Sequence, residues 1–280
     1  MQGTCFTYRT MLLACLLLGR GVAYSVEPTP ELEIKVIFDN TSGRADLPRS
    51  WGFSALIDFR GRRVLFDAGS DPVLLLENME RMQIDPSSIE HAVISHQHGD
   101  HLRGVYWVFE ENPKMQVHFL DVFPEEAFRR AAAVGMKPHR VKGPFEVVPG
   151  IFSTGIVDGL PPEQSIVIET SQGMVMLVGC SHPGLIKLVD TAQQQRKQDS
   201  LRLLLGGFHL LRKQPEDVKS IIAQLKQRKV DTVLPGHCTG DEAIDLFHLE
   251  FGDRFHAAGT GRQIRLLKDE FAIQTLKRPE

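Results

Sequence analysis

The stretch "ISHQHGDH", Ile94 to His101, places three imidazoles and a carboxylate within six residues, directly after an apolar run. His96 and His98 are two apart, so at an extended strand end they point to one side and can grip a single cation. Asp100 and His101 lie past the bend at Gly99 and can turn toward a second position. Neutral imidazole with some carboxylate suits zinc, manganese or iron, whereas calcium and magnesium favour all-oxygen shells. A lone histidine is usually structural or solvated, but three so close together point to a metal site.

Working outward, three further apolar runs end in histidine-bearing loops. "MVMLVG" leads into "GCSHPG", "LRLLL" (Leu201 to Leu205) into "GGFHL", and "VDTVL" (Val230 to Leu234) into "PGHCTG". A sheet delivers the ends of neighbouring strands to one rim, so His182, His209 and His237 can join the first cluster there. The Gly206-Gly207 pair before His209 lets the backbone approach that rim closely.

The rest of the chain alternates strands and helices as one domain over residues 26–280. "LEIKVIF" (Leu32 to Phe38) reads as a first strand, and "HAVIS" as the strand feeding the histidine cluster. Hairpins are expected around Arg60-Gly61 and Gln172-Gly173. Asp71 followed by Pro72 is a helix start, with Leu75, Met79 and Met82 at helical spacing as its core face. Further helices are expected from Gly184 and from Pro215 to about Arg228.

The 280 residues are 42% hydrophobic and 24% charged, enough for a large core. A net charge of −3 without a long run of Lys or Arg offers no footprint for nucleic acid. At the amino terminus, Arg9, "MLLACLLL" (Met11 to Leu18) and "GVAYS" follow the order of a secretory signal over residues 1–25, cleaved after Ala23 or Ser25. The run is too short to span a bilayer. "LLAC" at Cys15 looks like a lipoprotein box, but its apolar residues continue past the cysteine. Export would place the protein in the periplasm or outside the cell; a retained amino terminus would leave it in the cytoplasm. Signal cleavage removes Cys5 and Cys15 and leaves Cys180 and Cys238, each beside a histidine. They either pair in an oxidising compartment or line a site as small buried residues.

"SHQHGDH" fits the HxHxDH signature, and with "VLFDAG" before it and separate histidines after it the chain resembles the metallo-β-lactamase superfamily. "GCSHPG", "GGFHL" and "GHCTGDEAIDLF" resemble the branch that includes the dihydropterin-methyl-ribofuranosylaminobenzene phosphate synthases. The resemblance runs from about Leu32 to about Ile273. It implies an α/β, four-layer αββα sandwich, two mixed sheets flanked by helices, with metals at one sheet edge. It also implies two divalent ions, zinc before manganese or iron: His96, His98 and His182 for the first, Asp100, His101 and His237 for the second. The family's usual bridging aspartate has no equivalent; Cys180 or His182 occupies that region. Asp67 resembles a residue that orients a ligand histidine through its other ring nitrogen.

Other residues keep two readings. Glu163, in "PPEQSIV", is an unusual carboxylate ligand of the metals or an exposed loop glutamate. His209 is a ligand, a substrate contact or a general acid. Asn40 shapes the substrate pocket or forms a turn. Arg103, where relatives carry a small residue, binds an anionic substrate or forms a surface salt bridge. Trp51, where relatives carry histidine, is a pocket wall or buried apolar surface. His91, His118, His139, His248 and His256 show no convergence and read as surface or core.

The function expected is a metal-dependent hydrolase of an ester, phosphoester or lactone-like anionic small molecule, with Asp100 and His209 catalytic. The alternatives are a synthase-like transferase, against which export counts because pterin intermediates are cytoplasmic, and a non-catalytic metal-containing binding or sensor protein.

Overall fold

The computed structural model describes residues 30–267 and 271–275. The expected signal segment, with Cys5 and Cys15, lies outside the described residues. The first strands are β1 (Leu32–Phe38), β2 (Ser54–Phe59) and β3 (Arg62–Phe66), followed by helix α1 (Pro72–Arg81) and β4 (His91–Val93). Helices α2 (Gly99–Leu102) and α3 (Val105–Glu111) precede β5 (Gln116–Leu120), α4 (Glu125–Ala133) and β6 (His139–Val141). Strands β7 (Phe145–Val148), β8 (Ile151–Ser153), β9 (Ile166–Thr170) and β10 (Gly173–Val178) lead to α5 (Leu185–Arg196) and β11 (Leu201–Gly207). The chain continues through α6 (Pro215–Gln227), β12 (Val230–Gly236), α7 (Asp241–Phe251), β13 (Arg262–Leu266) and β14 (Phe271–Thr275).

Two mixed sheets result, ordered β14-β13-β1-β2-β3-β4-β5-β6 and β12-β11-β10-β9-β8-β7. Alternation along the strands decides how they stack. In β10, Val175 and Leu177 meet the other sheet, while Met174, Met176 and Val178 pack beneath α5 and its neighbours. A strand buried on both faces belongs to an inner layer. Ile34, Ile57 and Val64 oppose Ile168, Val175 and Leu203 between the sheets. Outside the first sheet lie Leu75 and Met79 of α1, Val108 of α3 and Ala131 of α4; outside the second lie Leu188, Ile222 and Phe247 of α5, α6 and α7. The four-layer αββα sandwich is therefore the observed fold. Among the described residues no helix is long and apolar enough to cross a membrane.

Local chemistry sets several boundaries. Asp71 Oδ1 accepts the N–H groups of Val73 and Leu74 at 3.0 and 3.2 Å, and Pro72 opens α1 as expected. A register shift between Val36 and Phe38 turns Phe38 from the inter-sheet core to the helix side. Its ring fits there because Gly69, at φ +63°, has no Cβ; one would lie 2.8 Å from Phe38 Cγ. β4 is shorter than "HAVIS" suggests: Asp67 captures Ser95 N–H at 2.6 Å, drawing that residue out of the ladder.

The topology places the functional loops together. β1, β3, β4, β5 and β6 run the same way, as do β10, β11 and β12, so their carboxyl ends share a rim. The sheets touch there: Gln164 N–H donates to Ser95 O at 2.9 Å. A Cβ on Gly179 would stand 2.2 Å from Ser95 Oγ, so only glycine allows the approach.

One expectation about the histidines changes. His91, His118 and His139 do meet: the register of β5 and β6 sets His118 beside His139, and His91, paired with Gln116, stacks on His118 diagonally, two positions along the same face. His91 Nδ1 and His118 Nε2 lie 3.0 Å apart. His91 and His118 are buried, while His139, His248 and His256 are not. Burial, reinforced by His91 and His139, holds His118 at about 3, below its ordinary 6.5. The unfolded chain therefore binds this proton first, and stability falls as pH drops from about 6.5 toward about 3, with no effect above that window. Replacing His118 with Phe is expected to flatten the acid-side loss of the thermal midpoint across that window; parallel wild-type and variant profiles would contradict it.

Candidate metal centre

The site is built first from Asp67, which follows β3 at φ +60° and is fully buried. Its carboxylate accepts Ser95 N–H at 2.6 Å, Ser95 Oγ–H at 2.7 Å and His101 Nδ1–H at 2.7 Å. Because a carboxylate only accepts, the His101 proton sits on Nδ1 and its Nε2 lone pair is free to face inward. The same logic passes through Ser95. Its hydroxyl donates to Asp67 and so accepts from His96 Nδ1 at 2.9 Å, leaving His96 Nε2 bare. Burial opposes a charge on His101, but Asp67 and then Asp100 outweigh it and raise its pKa to about 9, so without a cation Nε2 also holds a proton, which a metal ion would displace to reach the lone pair.

His237 is oriented from β1. Asn40 donates its Nδ2–H to His237 O at 3.2 Å, so its Oδ1 accepts His237 Nδ1–H at 3.0 Å. Asn40, expected to shape the substrate pocket, instead fixes a histidine. Asp39, unremarked in the sequence, accepts both Thr41 groups at 2.7 Å and His237 N–H at 3.4 Å.

Glu163 is neither an exposed loop residue nor aimed at the metal-ligating histidines. It is fully buried, and its Oε1 accepts the backbone N–H groups of Gly179, Cys180 and Ser181 at 2.9, 3.1 and 3.0 Å. Oε2 accepts that of His182 at 3.0 Å. Four consecutive amides thus curl around one side chain, an anion-binding nest with an internal anion. Ser181 takes φ +65° to allow it and ties its Oγ–H to Gly207 O at 2.8 Å. Burial raises the Glu163 pKa to about 7 against the pull of the His182 and Ser181 amides.

Around these supports the donors converge. Ligand atoms of His96, His98 and His182 lie within 4.8 Å of one another, and so do those of Asp100, His101 and His237. His237 Nε2 is 3.1 Å from His101 Nε2 and 3.4 Å from Asp100 Oδ2. His96 Nε2 and His182 Nε2 are buried without a hydrogen-bond partner. A polar atom left so is costly unless something takes its lone pair. Burial, then neighbouring imidazoles, push His96 well below the ordinary histidine range and His182 to about 3. Neutral imidazole is the metal-binding form. Asp100 is held well below the usual carboxylate range by the His237 hydrogen bond, although burial opposes this. The donor set fits divalent metal ions.

The mouth carries the remaining candidates. His209, at φ +54°, sets its ring centroid 4.4 Å from that of His182 at a tilt of 53°, and its hydrogen bond with Cys238 raises its pKa. Trp51 is 46% exposed rather than buried; its ring lies 4.8 Å from His237 and walls a cavity of about 550 Å³ with His209, Leu211, Arg212, Lys213 and Cys238. Sequence reading missed Arg212 and Lys213, which follow "GGFHL" after the single residue Leu211. Arg103 is exposed on the turn after α2 and makes no ion pair among the described residues, so the salt-bridge reading fails. Cys180 and Cys238 are buried and unpaired.

The family model described as the metallo-beta-lactamase superfamily matches residues 52–237. The chain is 26% identical over 262 residues to the 7,8-dihydropterin-6-methyl-4-(beta-D-ribofuranosyl)-aminobenzene-5'-phosphate synthase of Methanocaldococcus jannaschii, covering 76% of this chain and 89% of that protein. An uncharacterised protein of the same organism is 28% identical over 244 residues, covering 75% and 92%. Among solved structures, a metal-dependent hydrolase of the beta-lactamase superfamily superposes with a TM-score of 0.71 at 24% identity, covering 84% of this chain and 99% of its own. A metallo-beta-lactamase fold protein from Bacillus subtilis gives 0.61 at 13%, covering 83% and 98%. Both share the fold.

Replacing Glu163 with Gln sets an amide donor among four N–H groups. The expected result is a loss of roughly 1–3 kcal/mol in denaturant unfolding, with reduced metal retention; an unshifted midpoint would show that the loop stands without the carboxylate.

Proposed function

The chain belongs to the metallo-beta-lactamase superfamily, and from that premise we propose that it is a metal-dependent hydrolase of a small anionic ester, phosphoester or lactone. The observation that carries this reading is the pair of donor trios, His96/His98/His182 and Asp100/His101/His237, beside a cavity walled by Trp51 and Leu211. Two divalent ions, zinc before manganese or iron, would lower the pKa of water and polarise the substrate's carbonyl or phosphoryl oxygen.

The chain's own residues supply the rest. Trp51 and Leu211, both substantially exposed, offer an apolar wall for the body of the substrate. Arg212 and Lys213 line the same cavity and suit an anionic group; Arg103, just after the helix that carries Asp100 and His101, adds a guanidinium with no ion pair among the described residues. Asp100 accepts a hydrogen bond from the attacking water and aligns it on the carbon or phosphorus. As the ester bond breaks, His209 passes its ring proton to the departing oxygen, a role its raised pKa favours. Export in mature form remains part of the proposal, supported by the amino-terminal pattern alone.

A second reading, a synthase-like transferase, is supported by the likeness to the Methanocaldococcus jannaschii synthase. The product for which that synthase is named joins ring systems to a sugar phosphate, which would also suit an aromatic wall beside the side chains of Arg212 and Lys213. In that case the protein would join two substrates and leave simple esters intact.

The deciding experiment is elemental analysis with turnover of an aryl phosphodiester and a lactone. About two ions per chain and metal-dependent turnover are expected, with His98→Ala losing at least about a hundredfold in kcat/KM. Activity that survives both metal removal and this substitution would overturn the reading. Full metal content with ligand-dependent stabilisation but no turnover would replace it with a sensor. At the mouth, Trp51→Ala is expected to raise KM several-fold and leave kcat within a factor of about three; an equal fall in kcat would place Trp51 in the chemistry instead of the wall.

A further inference from the structure

We propose that Cys180 is itself a metal ligand, a thiolate shared between the two metal positions. This rests on the metal-centre reading above and adds to it a seventh donor and an element preference.

Position is the first argument. Ligand atoms of Cys180, His96 and His101 lie within 4.8 Å of one another, as do those of Cys180, His182 and His209, and of Cys180, His237 and Cys238. Cys180 thus reaches two members of each trio: His96 and His182 of the first, His101 and His237 of the second. No other side chain enters three such groups among the described residues. Its Sγ stands 3.1 Å from His101 Nε2, the nitrogen whose lone pair faces inward because Nδ1 is bound to Asp67.

Rigidity is the second. Cys180 N–H is held by Glu163 Oε1 at 3.1 Å, between the similarly held amides of Gly179 and Ser181. Gly179 is wedged against Ser95, so the residue before the cysteine cannot drift. The position of the Cys180 backbone and the direction of its Cα–Cβ bond are therefore set before any ion binds, which leaves Sγ only a choice of rotamer.

Charge is the third. The two trios contain a single carboxylate, Asp100, to set against two divalent cations in a buried pocket. Uncompensated charge away from water is costly. The Cys180 sulfur, 3% exposed between the trios, would supply a second anion where both ions can share it once an ion has displaced its proton. The alternative, a small buried residue filling space, fits poorly in surroundings of imidazoles and carboxylates. On binding, the Sγ–H bond breaks, its electron pair is shared with the ions, and the proton leaves to solvent. Sulfur in the set selects zinc, iron or cobalt over magnesium and calcium.

Cys238 is the natural control, because its thiol is directed to Cys180 O at 3.6 Å and is engaged with His209. The test is to load the metal-free full chain with cobalt(II) and record its absorption. Wild type and Cys238→Ser are expected to show an intense near-ultraviolet thiolate-to-cobalt band beside the visible cobalt bands. Cys180→Ser and Cys180→Asp should lose that band, with Cys180→Asp keeping both ions. Visible bands without the near-ultraviolet band in wild type would overturn the proposal and leave the metal centre standing, a result that needs no variant. A band lost in Cys238→Ser and kept in Cys180→Ser would also overturn it. Failure of wild type to bind cobalt at all would bring down the metal centre and this ligand together.

Discussion

Four backbone amides and one carboxylate hold the rim together. The loop after β10 enters the interior between the two sheets, where its N–H groups meet no strand, and each left unsatisfied would cost about 1–3 kcal/mol. Glu163 takes all four, and in doing so fixes where Cys180 and His182 stand. Asp67 performs the matching task on the first sheet for Ser95 and His101. Neither carboxylate needs to touch an ion to be indispensable. Each converts a flexible loop into a fixed donor surface, and the metal-binding geometry is a by-product of satisfying buried backbone and imidazole protons.

This division explains which parts of the molecule could be read from residue order. Strands buried on both faces, such as Gly173–Val178, announce themselves as unbroken apolar runs, and Asp71-Pro72 marks a helix start through contacts two and three residues away. The HxHxDH run is equally local. Supports that act across the fold have no such signature. Asn40 meets His237 across 197 positions, and Glu163 meets the "GCSH" loop across 16 to 19. The residue types were visible, but their partners depend on which strand ends share the rim. The stack of His91, His118 and His139 was illegible for the same reason, since it depends on which strands are neighbours, with His139 in register with His118 and His91 two positions off it. The end of β4 was misjudged because a side chain, Asp67, outcompetes the sheet for Ser95 N–H.

The cavity shows the complementary pattern. Its apolar wall and its cations lie on segments flanking the histidines, Trp51 before the cluster and Leu211 to Lys213 after His209. The scaffold supplies the donors from strand ends, while the loops supply what would distinguish one substrate from another. Loops of this kind can vary without disturbing Asp67 or Glu163, so relatives with the same donor set need not share a substrate.

The seam between the sheets adds a mechanical meaning to the donor arrangement. His96, His98, Asp100 and His101 hang from the first sheet, and Cys180, His182 and His237 from the second, with Gly179 pressed on Ser95 between them. An ion gripped from both sides would act as a rivet through the sandwich. Its binding free energy becomes resistance to the halves parting, so the hinge-like opening that would admit a chelator or a protease at this seam is slowest in the fully loaded protein.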